Sequence, residues 1–209
     1  MTITIKEIKN FIFKLNEVIQ ENKEYFIELD GKLGDGDLGL TLSKGFKAAV
    51  AYTEQFTGDE IGEYFLKLAM EINSVASSTF GTLLSSGIME VGKNSRGKEK
   101  LSNEDLVVLF ESFVKGIQKR GKAKLGDKTV LDALIPAKNE FKEAINKGED
   151  PSSAIKVAAQ AADKGVEKTK ELTSEHGRAS YYGEKSKGLK DPGAEAANIV
   201  LDEIKDYLN

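Results

Sequence analysis

Ile5-Lys6-Glu7-Ile8-Lys9-Asn10-Phe11-Ile12-Phe13-Lys14-Leu15-Asn16-Glu17-Val18-Ile19 decides the fold class. Ile5, Ile8, Ile12, Leu15 and Ile19 recur at three- and four-residue steps, which puts them on one face of an α-helix. The same spacing returns in Ile61, Phe65, Leu68, Ile72 and Val75; in Leu106, Phe110, Phe113, Val114 and Ile117; in Leu131, Leu134, Phe141 and Ile145; and in Ile155, Ala158, Ala159, Ala162 and Val166. Helix starts are marked as well. Thr57-Gly58-Asp59-Glu60 and Ser102-Asn103-Glu104-Asp105 read as capping boxes, and Asp150-Pro151 and Asp191-Pro192 set an acid before a first-turn proline. Pro136 falls inside the stripe that begins at Leu131, so a kink or a short first segment is expected there. The single strand-like run, Tyr25-Phe26-Ile27-Glu28-Leu29, has no partner of similar character and can equally be the last turns of the first helix. The sum is an all-α chain of about eight helices joined by short loops, a bundle or closed helical barrel whose sequence neighbours pack antiparallel. With no repeat period or low-complexity linker, residues 1–209 read as one domain.

Where the first stripe must end, Leu29-Asp30-Gly31-Lys32-Leu33-Gly34-Asp35-Gly36-Asp37-Leu38-Gly39 packs three carboxylates among four glycines. Like charges on a glycine-loosened turn repel one another unless a counter-charge sits among them, and the simplest one is a divalent cation held by hard oxygen ligands. Magnesium in such a site keeps open positions that phosphate oxygens fill, so Asp30, Asp35 and Asp37 read as a metal-phosphate site. The plainer alternative is a solvated turn whose last acid caps the helix beginning near Gly39, which accounts for one Asp better than for three. Gly34 to Gly39 also satisfies the dinucleotide pattern G-x-G-x-x-G, but two carboxylates would then face the pyrophosphate. An EF-hand fails because neither Thr41 nor Phe46 supplies the bidentate Glu of its last position. Gly92 to Lys98 matches a P-loop only as far as its lysine, since Glu99 follows where Ser or Thr belongs.

Composition narrows the classes further. A net charge of −4 argues against an electrostatic grip on nucleic acid. The chain has no cysteine and a single histidine, so any metal is bound by oxygen. Apolar stretches too short to span a bilayer, and an N-terminus without a basic region and long apolar run, lead us to expect a cytoplasmic protein with no membrane partner. Ser77-Ser78-Thr79-Phe80-Gly81-Thr82 lies between two helical stripes, where free N–H groups and hydroxyls suit either an anion or simple capping. Arg178, between Gly177 and Ala179, is able to clamp a phosphate bidentately, although a lone loop arginine is usually just solvated. His176 reads as an exposed loop residue, since no Ser, Cys or carboxylate is placed by the sequence to work with it.

Taken together, three blocks resemble the nucleotide-binding L subunit of dihydroxyacetone kinase. They are Leu29-Asp30 with Gly34-Asp35-Gly36-Asp37-Leu38-Gly39; Arg120-Gly121-Lys122 with Gly126-Asp127-Lys128-Thr129-Val130-Leu131-Asp132-Ala133-Leu134; and Gly177-Arg178-Ala179-Ser180-Tyr181 with Gly183-Glu184-Lys185-Ser186 and Asp191-Pro192-Gly193-Ala194. The resemblance spans nearly the whole chain. It implies an eight-helix antiparallel up-and-down barrel with a nucleotide site at one end, and two Mg²⁺ held by Asp30, Asp35 and Asp37. It further implies nucleotide contacts from Leu38, Gly39, Leu40, Thr41, Thr79, Phe80, Gly121, Val130, Arg178, Asp191, Pro192 and Gly193, with Arg178 as the catalytic cation. A K-type subunit would hold the ketose. In the phosphotransferase-dependent kind, tightly held ADP serves as a cofactor that a phosphocarrier M subunit rephosphorylates, and the reading admits a homodimer. Two departures stand beside the phosphates: Leu38 where the family usually has His, and Phe80 within its usual Gly-Gly-Ser/Thr-Ser-Gly run. They keep open a paralogue acting on another short ketose, and a non-catalytic or regulatory helical module that binds metal.

Overall fold

The structure is a computed structural model that describes residues 2–208. Among the described residues it contains nine α-helices, one 3-10 segment and a single two-stranded antiparallel pairing of Ile3–Thr4 (β1) with Lys100–Leu101 (β2). The all-α expectation is met. None of the described helices is long and apolar enough to cross a membrane.

Residue contacts divide the chain into two compact units, each assembled from separate stretches of sequence. The first comprises residues 1–23 and 40–121, the second residues 24–39 and 122–209. In the first lie α1 (Ile5–Glu21), most of α3 (Leu38–Gln55), α4 (Ile61–Val75), α5 (Thr79–Asn94) and α6 (Asn103–Gly121). Its core gathers the stripes read from the sequence: Ile8 and Ile12 of α1 pack with Ile61, Leu68 and Ile72 of α4 and with Leu109 of α6. The buried Tyr64 hydroxyl shares a 2.7 Å hydrogen bond with Thr53, which removes the cost of an unpaired polar group there. Glycine permits close helix approach. A Cβ on Gly92 would sit 2.7 Å from the Leu66 amide, and one on Gly116 would sit 2.5 Å from the Ser86 carbonyl, so α5 lies almost backbone to backbone with both neighbours.

The second unit holds α2 (Lys23–Gly31), α7 (Leu131–Asn146), α8 (Pro151–Thr169), the 3-10 segment Arg178–Ser186 and α9 (Pro192–Tyr207). Ile155, Ala158, Ala159, Ala162 and Val166 are buried along one face of α8 as its spacing predicts, and Ala154 joins them. Gly165 continues that face, where a Cβ would come within 2.1 Å of the Asp132 carbonyl. That carbonyl has no amide partner one turn ahead, because the residue there is Pro136, and α7 runs through the proline without a break.

Three readings of the sequence need correction. What reads as one helix ending at the acidic turn is two, because the Asn22 side chain and its own amide both bond the Val18 carbonyl and close α1 before Lys23. Tyr25–Leu29 therefore belongs to a helix of its own, and the helix count exceeds eight. Glu60, not Thr57, caps α4: its carboxylate reaches the amides of Gly62 at 3.0 Å and Gly97 at 2.6 Å, which a shorter side chain three residues earlier cannot do. The links are not all short, since residues 170–191 form a long excursion between α8 and α9.

Candidate functional site

The acidic loop begins in the last turn of α2, which Tyr25 anchors by donating its hydroxyl to Glu195 of α9 at 2.8 Å. Asp30 stands in that last turn, and its carboxylate accepts the Leu38 amide at 3.3 Å. Because Leu38 opens α3, this places negative charge against the unpaired amides of a helix start, where it is favoured. The chain doubles back between them. Gly36 has φ +70°, a left-handed conformation that suits glycine, and a Cβ on Gly34 would lie 2.5 Å from Asp30 Oδ1. The result is that one carboxylate oxygen from each of Asp30, Asp35 and Asp37 falls within 4.8 Å of the others. Burial, followed by the charges of Asp35 and Asp30, raises the pKa of Asp37.

A cation reaches this cluster. The Arg178 guanidinium stands 2.9 Å from Asp35, so the loop arginine is not merely solvated. Both partners are substantially exposed, and an ion pair of that kind contributes little to stability. Its interest is chemical. Three carboxylates able to ligate a hard cation and a guanidinium able to clamp a phosphate lie side by side. The donor set fits magnesium, since every available oxygen is hard and the partly open loop leaves room for water or phosphate oxygens.

The glycines make the geometry testable. Gly34→Ala should push the Asp30 carboxylate out of the cluster and weaken Mg²⁺ binding by about tenfold while helix content is kept, an estimate that assumes one charged ligand is misplaced, worth ~1.4 kcal/mol. Calorimetric titration of Mg²⁺ into both proteins reads the effect, and equal affinities would show that Asp30 does not serve as a ligand.

Asp191 is the other acid the sequence singles out. It caps α9 by accepting the Ala194 amide at 2.7 Å, with Pro192 and Gly193 buried behind it. Burial pushes its pKa up to about 7, an effect the Ala194 amide and Lys128 oppose and Asp132 reinforces. The unfolded value is about 3.9, so over the interval between the two the folded state holds the proton more tightly. The stability this group contributes is therefore complete below that interval and is lost as pH rises through about 7. Asp191→Asn keeps an acceptor for Ala194 and removes the titration. Its urea midpoint should change less between pH 5 and pH 8 than that of the wild type, and identical pH profiles would contradict the assignment.

The remaining predicted contacts are distributed as follows. In the second unit, Leu38 and Gly39 are buried at the start of α3, and Val130 is buried just before α7. In the first, Thr41 is buried and donates its hydroxyl to Ser78 at 3.0 Å, and Leu40 is exposed. Ser78 caps α5 by accepting the Gly81 amide at 3.1 Å, so the capping reading of that segment holds at this residue; Thr79 and Phe80 form the first turn. Gly121 ends α6. Sequence reasoning missed the partner of His176, which lies two residues before Arg178 and whose Nε2 is 2.9 Å from the Asp127 carboxylate. The separation of 49 positions leaves no local pattern that announces the pair.

A family model for the DAK2 domain matches residues 32–206. The chain belongs to the DAK2-domain family. It is 32% identical, over 97% of each chain, to the ADP-binding subunit DhaL of the PTS-dependent dihydroxyacetone kinase of Lactococcus lactis. It is 26% identical, over 96% of each, to the ADP-binding subunit DhaL of the PEP-dependent dihydroxyacetone kinase of Escherichia coli. Crystal structures of the dihydroxyacetone kinase of C. freundii share the fold of this DAK2 domain. The native form matches 95% of this chain with a TM-score of 0.75 at 20% identity, and the complex with AMP-PNP and Mg²⁺ gives 0.71 at 22%. The DAK2 domain spans about a third of that kinase's length.

Proposed function

We propose that this chain is the ADP-binding, phosphoryl-transferring subunit of a dihydroxyacetone kinase. Asp30, Asp35 and Asp37 would hold two Mg²⁺ against the nucleotide phosphates, and the metals would neutralise charge on the transferring group. The nucleotide contacts that the family resemblance implies, from Leu38 through Thr41, at Thr79, Phe80, Gly121 and Val130, and at Asp191 to Gly193, belong to the same reading. Arg178 orients and offsets charge on the phosphoryl oxygens as it passes. The acceptor is the hydroxyl of a short ketose held by a separate K-type subunit, and the donor that recharges ADP is a phosphocarrier M subunit.

The observation that carries the reading is the three-carboxylate cluster with Arg178 beside it. It occurs in a chain whose full-length relatives are named ADP-binding subunits. In this reading the carboxylates of Asp30, Asp35 and Asp37 are committed to metal, which accords with a substrate activated on another subunit. Chemistry of this kind is positioning and charge neutralisation more than covalent work. The test is what the purified protein releases on denaturation. Adenine nucleotide at close to one equivalent, with its purine absorbance band, is expected, and it should be lost on prior exhaustive dialysis against EDTA. Release of metal without nucleotide would favour the non-catalytic metal-binding reading, which Leu38 and Phe80 keep in view.

A further inference from the structure

Lys128 is 1% exposed, a burial that lysine almost never adopts unless its ammonium is paired. Its backbone is left-handed, with φ +59°, a strain that a glycine at this turn would avoid. Nζ donates to three main-chain carbonyls, of Thr169, Ser186 and Leu189, each at 2.7 Å. An ammonium has three donors, and all three are used on neutral acceptors. Burial pulls its pKa below the usual lysine value, against the opposing charges of Asp191 and Asp132.

Those acceptors lie at the two ends of one excursion. Thr169 closes α8, while Ser186 and Leu189 bring the chain back towards α9. The neck is drawn tighter by Gly188 N to the Lys170 carbonyl at 2.7 Å, Asp191 N to Thr169 Oγ1 at 2.9 Å and Ser174 N to Ser186 Oγ at 3.0 Å. The residue before Lys128 grips the outgoing arm: the Asp127 carbonyl accepts the Glu175 amide at 3.1 Å and its carboxylate meets His176. Arg178 is carried between these two grips. Its guanidinium is 70% exposed and, among the described residues, pairs with Asp35, so local packing of the side chain does not fix where it points.

We propose that Lys128 is a positioning residue whose buried ammonium, gathering the carbonyls of Thr169, Ser186 and Leu189, fixes the Arg178 segment against the acidic cluster. The functional half of this inference rests on the reading of Arg178 as the phosphate clamp; the structural half does not. Removing the ammonium leaves three buried carbonyls without a donor, and the neck of the excursion loosens.

Lys128→Ala in the full chain tests it. The deleted atoms correspond to n-propylammonium, which can re-enter the cleft and donate to the same three oxygens. Trypsin cleavage after Arg178, followed without nucleotide, should accelerate at least tenfold in the variant, and Mg²⁺-ADP affinity should fall at least tenfold. Both should return saturably with n-propylammonium and not with tetramethylammonium, which has no N–H donor. A merely space-filling lysine would not give that selectivity. Unchanged cleavage, or a loss that n-propylammonium does not reverse, overturns the proposal. Should Lys128→Ala fail to fold, Lys128→Gln retains two donors and is expected to show a smaller acceleration, whereas wild-type cleavage in that variant also overturns it. If the wild type itself does not bind Mg²⁺-ADP, the functional reading fails while the cleavage arm still decides whether Lys128 holds the segment.

Discussion

Asp35→Asn is expected to weaken Mg²⁺-dependent ADP binding by about a hundredfold or more, equivalent to ~2.7 kcal/mol, and to leave helicity and the unfolding midpoint essentially unchanged. The two halves of that expectation have separate physical causes. An amide in place of one of three hard anionic ligands lowers the charge of the site and its affinity for a divalent cation. The same change relieves repulsion within the cluster and breaks only an ion pair that water already screens, with Arg178 70% exposed, so the fold has little to lose. The measurement is ADP titration with and without Mg²⁺, beside circular dichroism. Undiminished Mg²⁺-dependent binding would remove Asp35 from the metal site.

Arg178→Gln should reduce phosphoryl transfer to dihydroxyacetone, measured with a K-type partner, by about 10³-fold, while ADP affinity changes by less than about tenfold. The asymmetry follows from when the charge is needed. A guanidinium that clamps the transferring oxygens acts most strongly as charge redistributes in the transition state, and arginines in that role supply about 10³ to 10⁵ in rate. Arg178→Lys should recover little, because a point charge on a flexible stem does not reproduce a planar bidentate fork. In the free protein Arg178 neutralises Asp35, so the Gln variant should also bind Mg²⁺ alone at least as tightly as the wild type. A variant that loses ADP affinity and rate in equal proportion would instead make Arg178 a ground-state binding residue.

How much of this was legible in the sequence depends on whether the information is local. The helical stripes were, because burial of one face imposes a period that neighbouring residues display: Ile8, Ile12, Leu15 and Ile19 are buried in α1, as are Ala158, Ala159, Ala162 and Val166 in α8. The Asp150 and Asp191 caps were legible for the same reason, since cap and first turn are adjacent in the chain. So was the Ser102 box, where Ser102 and Asp105 exchange side-chain and backbone hydrogen bonds. The break at Asn22 was not, because no Gly or Pro marks it and the deciding bond is an amide side chain turning back on its own helix.

The acidic cluster stood out by composition alone, for three Asp and four Gly fall between Asp30 and Gly39. Arg178 was singled out as a phosphate clamp, but its pairing with Asp35 did not stand out, because the two lie far apart along the chain and a solitary loop arginine carries no periodic signature. Lys128 was hidden by the strongest prior of all, since lysine is the residue type least expected inside a protein. His176 was hidden by distance from Asp127. In each case the missed element is a long-range polar contact, and each of them bears on the placement of the segment around Arg178.

The central claim is that Asp30, Asp35 and Asp37 seat a divalent ion which bridges to a polyphosphate, and it is tested most directly by placing Mn²⁺ in the site and recording ³¹P relaxation of bound ADP. Strong paramagnetic relaxation of the β-phosphate in the wild type, abolished in Asp35→Asn, is the predicted result. ADP that binds equally well without a divalent ion, or a bound Mn²⁺ that leaves both phosphates unrelaxed, would contradict it.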